Sequence, residues 1–120
     1  KTGRNWILSL KENYIPIGYA CIWNIAYEHL KGEIGYTLIP EYYGNGFMTE
    51  AIKEIMNFSF NKLGLHKLEA NVDSNNINSI KLLKTLNFKQ DAFLREDYLF
   101  NDKFHDTVIY SKLERENDNK

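Results

Sequence analysis

Gly44 and Gly46, separated by one asparagine, stand where an alternating run ending at Pro40 gives way to the helix-like spacing that begins near Phe47. A strand, a glycine turn and a helix in that order gather several unpaired main-chain N–H groups at the positive end of the helix dipole. The chemistry this offers is anion binding, with a phosphate-bearing ligand held over residues 44–48 without any lysine. A plain tight turn accounts for the same two glycines. Few other residues compete for a reactive role. Cys21 is the only cysteine, which leaves no internal disulfide or cysteine-rich metal site, and its apolar neighbours mark it as core. His29, His66 and His105 lack the short spacings of a zinc motif, so no metal is expected.

The elements that must position this turn follow from periodicity. Residues 6–10 and 17–25 read as a β-hairpin over the polar turn 11–14, and 26–32 as a loop. A third strand, 33–39, places Ile34, Tyr36 and Leu38 on one face and Glu33, Gly35 and Thr37 on the other. From Gly46 to about Leu63 a helix is expected to bury Met48, Ile52, Ile55, Met56, Ser59 and Leu63, with Gly64 as its stop. Residues 66–73 alternate again; following a helix, they should lie parallel to strand 33–39. Ser74, Asn75 and Asn76 are N-cap types for a short helix to about Leu86 that buries Ile77, Ile80, Leu82 and Leu83. Strands 88–100 and 104–113 close the fold as a hairpin over 101–103, and the polar tail 114–120 is expected to be disordered. Trp6, Trp23, Phe88, Phe93 and Phe104 are expected mostly in the core.

Length and charge bound the class. A chain of 120 residues, 43% hydrophobic, makes one domain with one core. Its 15 Lys and Arg against 16 Asp and Glu argue against nucleic acid or a membrane surface as partner. Polar residues interrupt every apolar run, so neither signal peptide nor membrane span is read, and a cytoplasmic location is the default.

Three features in sequence carry a resemblance: the strand, glycine turn and helix; Asn76-Ile77-Asn78-Ser79-Ile80-Lys81-Leu82-Leu83-Lys84-Thr85-Leu86-Asn87-Phe88; and Phe93-Leu94-Arg95-Glu96 with His105-Asp106-Thr107-Val108-Ile109-Tyr110. Together, over about residues 6–113, they resemble the GNAT N-acetyltransferase superfamily and, within it, the RimJ/RimL branch. The resemblance implies an α/β (α+β) GNAT fold over residues 1–113, with a twisted, mostly antiparallel mixed sheet whose one parallel pair splays to admit acetyl-CoA. The acceptor it implies is a primary amine, a protein N-terminus first and a small amine such as a polyamine or aminoglycoside second. A non-catalytic CoA-binding or interaction module is the rival from another class. Family members usually carry a strand and one or two helices ahead of the matching segment, so the chain is expected to be N-terminally incomplete or naturally short. A homodimer is compatible with the resemblance.

The family's phosphate-binding pattern, Gln or Arg-x-x-Gly-x-Gly or Ala, falls on Glu41 to Gly46. Glu41 departs from it, but the main-chain donors of Tyr43, Gly44, Asn45, Gly46 and Phe47 do not depend on that position, and Met48 follows them. Leu38 and Ile39 stand at the strand end where the cofactor would pass. Acetyl transfer to an amine needs a neutral amine, a donor to the oxyanion and a proton for the departing thiolate. Main-chain N–H groups near Leu38 are placed for the oxyanion. Glu33 is the first candidate for a base acting through water, against an ordinary solvent-facing role, with Glu69 and Glu50 behind it. Leu83 occupies the place where many members have a thiolate-protonating tyrosine. Ser79, as in RimL-like members, is the substitute, against a helix cap or a plain hydrogen bond to the cofactor. Asn76 is expected to cap the helix and also to touch pantetheine. Asn87 replaces a family glycine and tolerates the left-handed conformation. His105 and Asp106 line either an acceptor groove or a solvated hairpin edge.

Overall fold

The computed structural model describes residues 3–117. Six runs of alternating residues become strands: β1 (Arg4–Ser9), β2 (Pro16–Ala26), β3 (Lys31–Leu38), β4 (Lys67–Asp73), β5 (Lys89–Phe100) and β6 (Lys103–Leu113). They form one sheet in the order β1-β2-β3-β4-β6-β5. The first three make the antiparallel meander that their short polar connections require. Helix α1 (Phe47–Asn57) joins β3 to β4, and α2 (Ile77–Thr85) joins β4 to β5. Every pair is antiparallel except β3 with β4.

That parallel pair is short. It holds register only at Lys31–Lys67, Gly32–Leu68 and Glu33–Glu69. Beyond this rung β3 stays bonded to β2 as far as Leu38, while β4 stays bonded to β6 as far as Asp73. Each strand follows its antiparallel neighbour, and a wedge opens between them.

Both helices pack on one face of the sheet. Ile52, Ile55 and Met56 of α1 and Leu83 of α2 join Ile22, Ile34, Leu68, Ala70 and Val108 in a single apolar core. Among the described residues no helix packs on the other face, which carries Ile7, Tyr19 and Trp23, all exposed. Trp23, Phe93 and Phe104 are therefore corrections to the expected core: Trp23 lies on the open face and is 49% exposed, and Phe104 lies at the far end of the closing hairpin, 64% exposed. Phe88 is buried as expected, and Trp6 packs edge-on against Phe58. Ile77, expected to be buried, is the first residue of α2 and is 63% exposed, because the helix turns Ser79 and Leu83 inward instead.

Three boundaries also differ. The loop expected at 26–32 shrinks to a turn as β2 runs on to Ala26 and β3 starts at Lys31, with a register break between Trp23 and Ala26 where Asn24 is left-handed. After α1 the chain widens into a π-type turn, Phe58–Lys62, and stops at left-handed Gly64. The tail is ordered through Asn117: Glu114–Glu116 form a turn, Glu116 accepts the Leu113 N–H and pairs with Lys89, and Asn117 is buried. Residues 118–120 lie outside the described residues. No helix among the described residues is long and apolar enough to cross a membrane.

Candidate active site

The glycine turn is built by two left-handed residues, Gly44 at φ 83° and Gly46 at φ 79°. Gly46 is the N-cap of α1. The first helix N–H to find a main-chain acceptor is that of Glu50, on the Gly46 carbonyl at 3.0 Å. The N–H groups of Phe47, Met48 and Thr49 are thus orphaned inside the turn, as helix geometry dictates. A Cβ placed on Gly44 or Gly46 would meet no atom within 4 Å, so both glycines front open space.

Not every expected donor is available. The Tyr43 N–H is engaged by the Pro40 carbonyl at 3.0 Å, because Pro40–Tyr42 forms a short 3-10 turn. Tyr43 therefore reaches the cavity with its side chain, and the main-chain donors begin at Gly44. Asn45 staples the turn with its side-chain amide, which reaches the Tyr42 and Tyr43 carbonyls at 3.3 and 3.4 Å, bonds that leave its main-chain N–H, the expected donor, unengaged. The Ile39 N–H donates to the Ile17 carbonyl and its own carbonyl accepts from Tyr42, which leaves only its exposed side chain. Strand alternation then turns the neighbouring Leu38 N–H the other way, toward the wedge between β3 and β4.

An open cavity of about 560 Å³ runs from this turn to α2. Leu38, Gly44, Gly46, Phe47 and Met48 line one end; Asn76 and Ser79 line the other. Asn76 caps α2 as expected, its Oδ1 accepting the Ser79 N–H at 3.1 Å, and it also lines the cavity. Ser79 is only 7% exposed, and its hydroxyl is hydrogen-bonded to the Tyr36 hydroxyl at 2.5 Å. Burial pushes the Tyr36 phenol above its ordinary range, an effect the Ser79 bond partly offsets. Tyr36 reads in sequence as one of three apolar-face residues of β3; only the crossing of α2 over that face discloses its partner. Leu83 is fully buried in the core, so no acid stands at that position.

Glu33 lies on the opposite face from this cavity, on the last rung before β3 and β4 part. Its two carboxylate oxygens take the Asn24 amide at 2.7 Å and the Asn71 amide at 3.4 Å. Glu69 pairs with Lys67 at 3.6 Å and Lys31 at 4.0 Å, and Glu50 is an exposed first-turn acid of α1. His105 Nδ1 lies 2.8 Å from Asp73 at the end of β4, and Tyr98 stacks on its ring and donates to the same carboxylate. The Tyr98 bond is the chief reason that Asp73 is held below the usual carboxylate range. Asp106 accepts the Glu96 N–H and, through its carbonyl, the Ser74 N–H. Cys21 is half-buried, with its thiol raised by desolvation, which suits a packing role.

A family model described as an acetyltransferase (GNAT) domain matches residues 1–89, the stretch that holds the parted strands β3 and β4, the glycine turn and α2. The chain belongs to that GNAT family. An uncharacterized N-acetyltransferase of Bacillus subtilis, YoaA, is 33% identical to it over 92% of this chain and 63% of the relative. The spermidine N(1)-acetyltransferase of Escherichia coli K12 is 30% identical over 70% of this chain and 45% of that protein. A dodecameric structure of the spermidine N-acetyltransferase of Vibrio cholerae matches with a TM-score of 0.90 at 24% identity, over 99% of this chain and 69% of the other, a likeness of fold. The chain thus spans less than two thirds of these GNAT relatives' own sequences.

Proposed function

We propose that this chain transfers the acetyl group of acetyl-CoA to a primary amine. One observation carries the reading: a single cavity unites the orphaned N–H groups of the glycine turn with the part-buried Tyr36–Ser79 hydroxyl pair, beside strand edges that have come apart. Acetyl-CoA fits what is present, since the turn's glycines front open space that side chains would fill, and the cavity volume lies in the range of small-molecule sites. Gly44, Gly46, Phe47 and Met48 would hold its phosphates through main-chain donors, and Asn76 and Leu38 would flank the pantetheine arm. When bound it supplies the acetyl group as an activated thioester. The Leu38 N–H would stabilise the oxyanion, Ser79 would hold the proton for the thiolate, and Glu33 would take the amine proton through water across the wedge.

A protein N-terminus is the acceptor that the RimJ/RimL resemblance favours. A polyamine is the second reading, supported by the spermidine acetyltransferase relative and by the carboxylates Glu33, Glu69 and Asp73 that β3 and β4 bring to the open face. Exposed Leu99, Phe100 and Phe104 at the hairpin tip support a homodimer. The test is release of CoA thiol from acetyl-CoA with spermidine, an aminoglycoside and a peptide bearing a free N-terminus. Turnover with at least one is expected; calorimetric binding of acetyl-CoA without turnover on any of them would make the chain a binding module.

A further inference from the structure

We infer that Tyr36 and Ser79 form a two-hydroxyl proton relay, in which Tyr36 resupplies the proton that Ser79 gives to the departing sulfur. This rests on the acetyl-transfer reading and assigns Tyr36 a positioning and proton-supplying role in the same cavity. The two oxygens carry two protons and share one hydrogen bond, so one O–H of the pair always remains free to point elsewhere. The cavity is where it can point, because both residues line it. Ser79 is held in place from the other side by the Asn76 cap on its N–H. Tyr36 is held by β3, paired with Ala20 of β2, so neither residue needs to move to keep the bond.

A lone serine is a poor acid for this task. A phenol, with an ordinary pKa of about 10, stands close to a thiol at about 8.5, far closer than an aliphatic alcohol does. Placing the phenol behind the serine gives the relay a terminus more acidic than an aliphatic alcohol, with burial drawing it above its ordinary value and the Ser79 bond partly offsetting that rise. A phenol is already protonated at neutral pH, the form a donor needs, and burial acts in the same direction. In the step, Ser79 Oγ hands its proton to the sulfur as the acetyl carbon–sulfur bond breaks and the bond from amine nitrogen to acetyl carbon forms. Tyr36 reprotonates Oγ, solvent returns a proton to Tyr36, and the amine proton leaves through Glu33. The products are the acetylated amine and neutral CoA thiol.

The experiment compares wild type with Tyr36→Phe, Ser79→Ala and the double variant, by single-turnover acetylation and by calorimetric affinity for CoA and for desulfo-CoA. Tyr36→Phe is expected to slow acetyl transfer about 10²-fold. The double variant should be no slower than Ser79→Ala alone, since members of one relay are not additive. Wild type should favour CoA over desulfo-CoA, and Tyr36→Phe should lose most of that preference while binding desulfo-CoA as before. A fluorotyrosine at position 36, which changes phenol acidity and keeps the hydroxyl, should shift the rate in step with its pKa. Wild-type rates and an intact CoA preference in Tyr36→Phe would overturn the relay while leaving acetyl transfer standing. A wild-type chain that binds acetyl-CoA but acetylates no amine would overturn both.

Discussion

The two faces of the sheet are held together by different forces. On the helix side, Ile22, Leu68, Ile52 and Leu83 are shut away from water, and the Tyr36–Ser79 pair sits among them as a polar insertion. On the open side, Trp23 and Tyr19 are exposed, and ordering comes from polar pairs: Lys67 with Asp91 at 3.0 Å, Lys67 with Glu69, and Glu33 between two amides. Apolar burial contributes about 25 cal/mol per Å², whereas exposed ion pairs contribute about 0–1 kcal/mol. The covered face therefore sets stability and gives Tyr36 and Ser79 fixed positions. The open face adds little stability and leaves the carboxylates Glu33 and Glu69 within reach of solvent.

The largest effect should come from the covered face. Leu83→Ala removes a fully buried side chain and is expected to cost about 2–5 kcal/mol in denaturant unfolding, while Trp23→Ser should stay within about 1 kcal/mol. Equal losses would show that the open face is packed in solution and would erase the contrast.

Next in size are the two candidate catalytic residues. Ser79→Ala should reduce turnover about 10²-fold, or roughly 2.7 kcal/mol of barrier, with acetyl-CoA affinity and melting temperature nearly kept. If stability falls and turnover per folded molecule does not, Ser79 is a structural residue of α2. Glu33→Gln should also lower turnover, with a loss that shrinks at high pH where the amine is already neutral; a wild-type rate at neutral pH would return Glu33 to the solvated face.

Gly46→Val tests the turn between the faces. A β-branched residue in the left-handed region costs about 1–2 kcal/mol, and its side chain would occupy the open side of the turn. Calorimetry should show weaker acetyl-CoA binding by a folded protein, and unchanged affinity would remove the turn from the site.

The smallest effect is ionic and belongs to the open face. The Asp91 pKa is lowered chiefly by the Ser111 hydrogen bond and then by Lys67, and that of Asp73 chiefly by Tyr98. A carboxylate with a depressed folded-state pKa adds stability that is present above its unfolded value, about 3.9, and is lost as pH falls through the folded one. Melting temperature should therefore drop as pH is lowered below about 4, and Asp91→Asn should flatten that drop. An unchanged acid profile in the variant would locate the sensitivity elsewhere.

Some of this was legible in the chain itself. Alternation placed six strands, α-helical spacing placed two helices, and Gly44 and Gly46 marked a left-handed turn at a helix start, because these are local consequences of backbone geometry and side-chain periodicity. Family motifs likewise pointed to Ser79 and Asn76, which the fold brings to the cavity. What local pattern does not contain is which face another element covers. Trp23, Ile77 and Phe104 have the residue types of a core, yet burial depends on a neighbour that arrives from elsewhere in the chain. Tyr36 lies 43 positions from Ser79 in sequence, and their contact exists only because α2 crosses the face on which Tyr36 stands. The engagement of the Tyr43 N–H by Pro40 was likewise decided by a turn whose bonds no residue type announces. Sequence determined the elements and the glycine turn; tertiary structure decided which hydroxyl meets which, because only long-range packing brings residues 43 positions apart within hydrogen-bond reach.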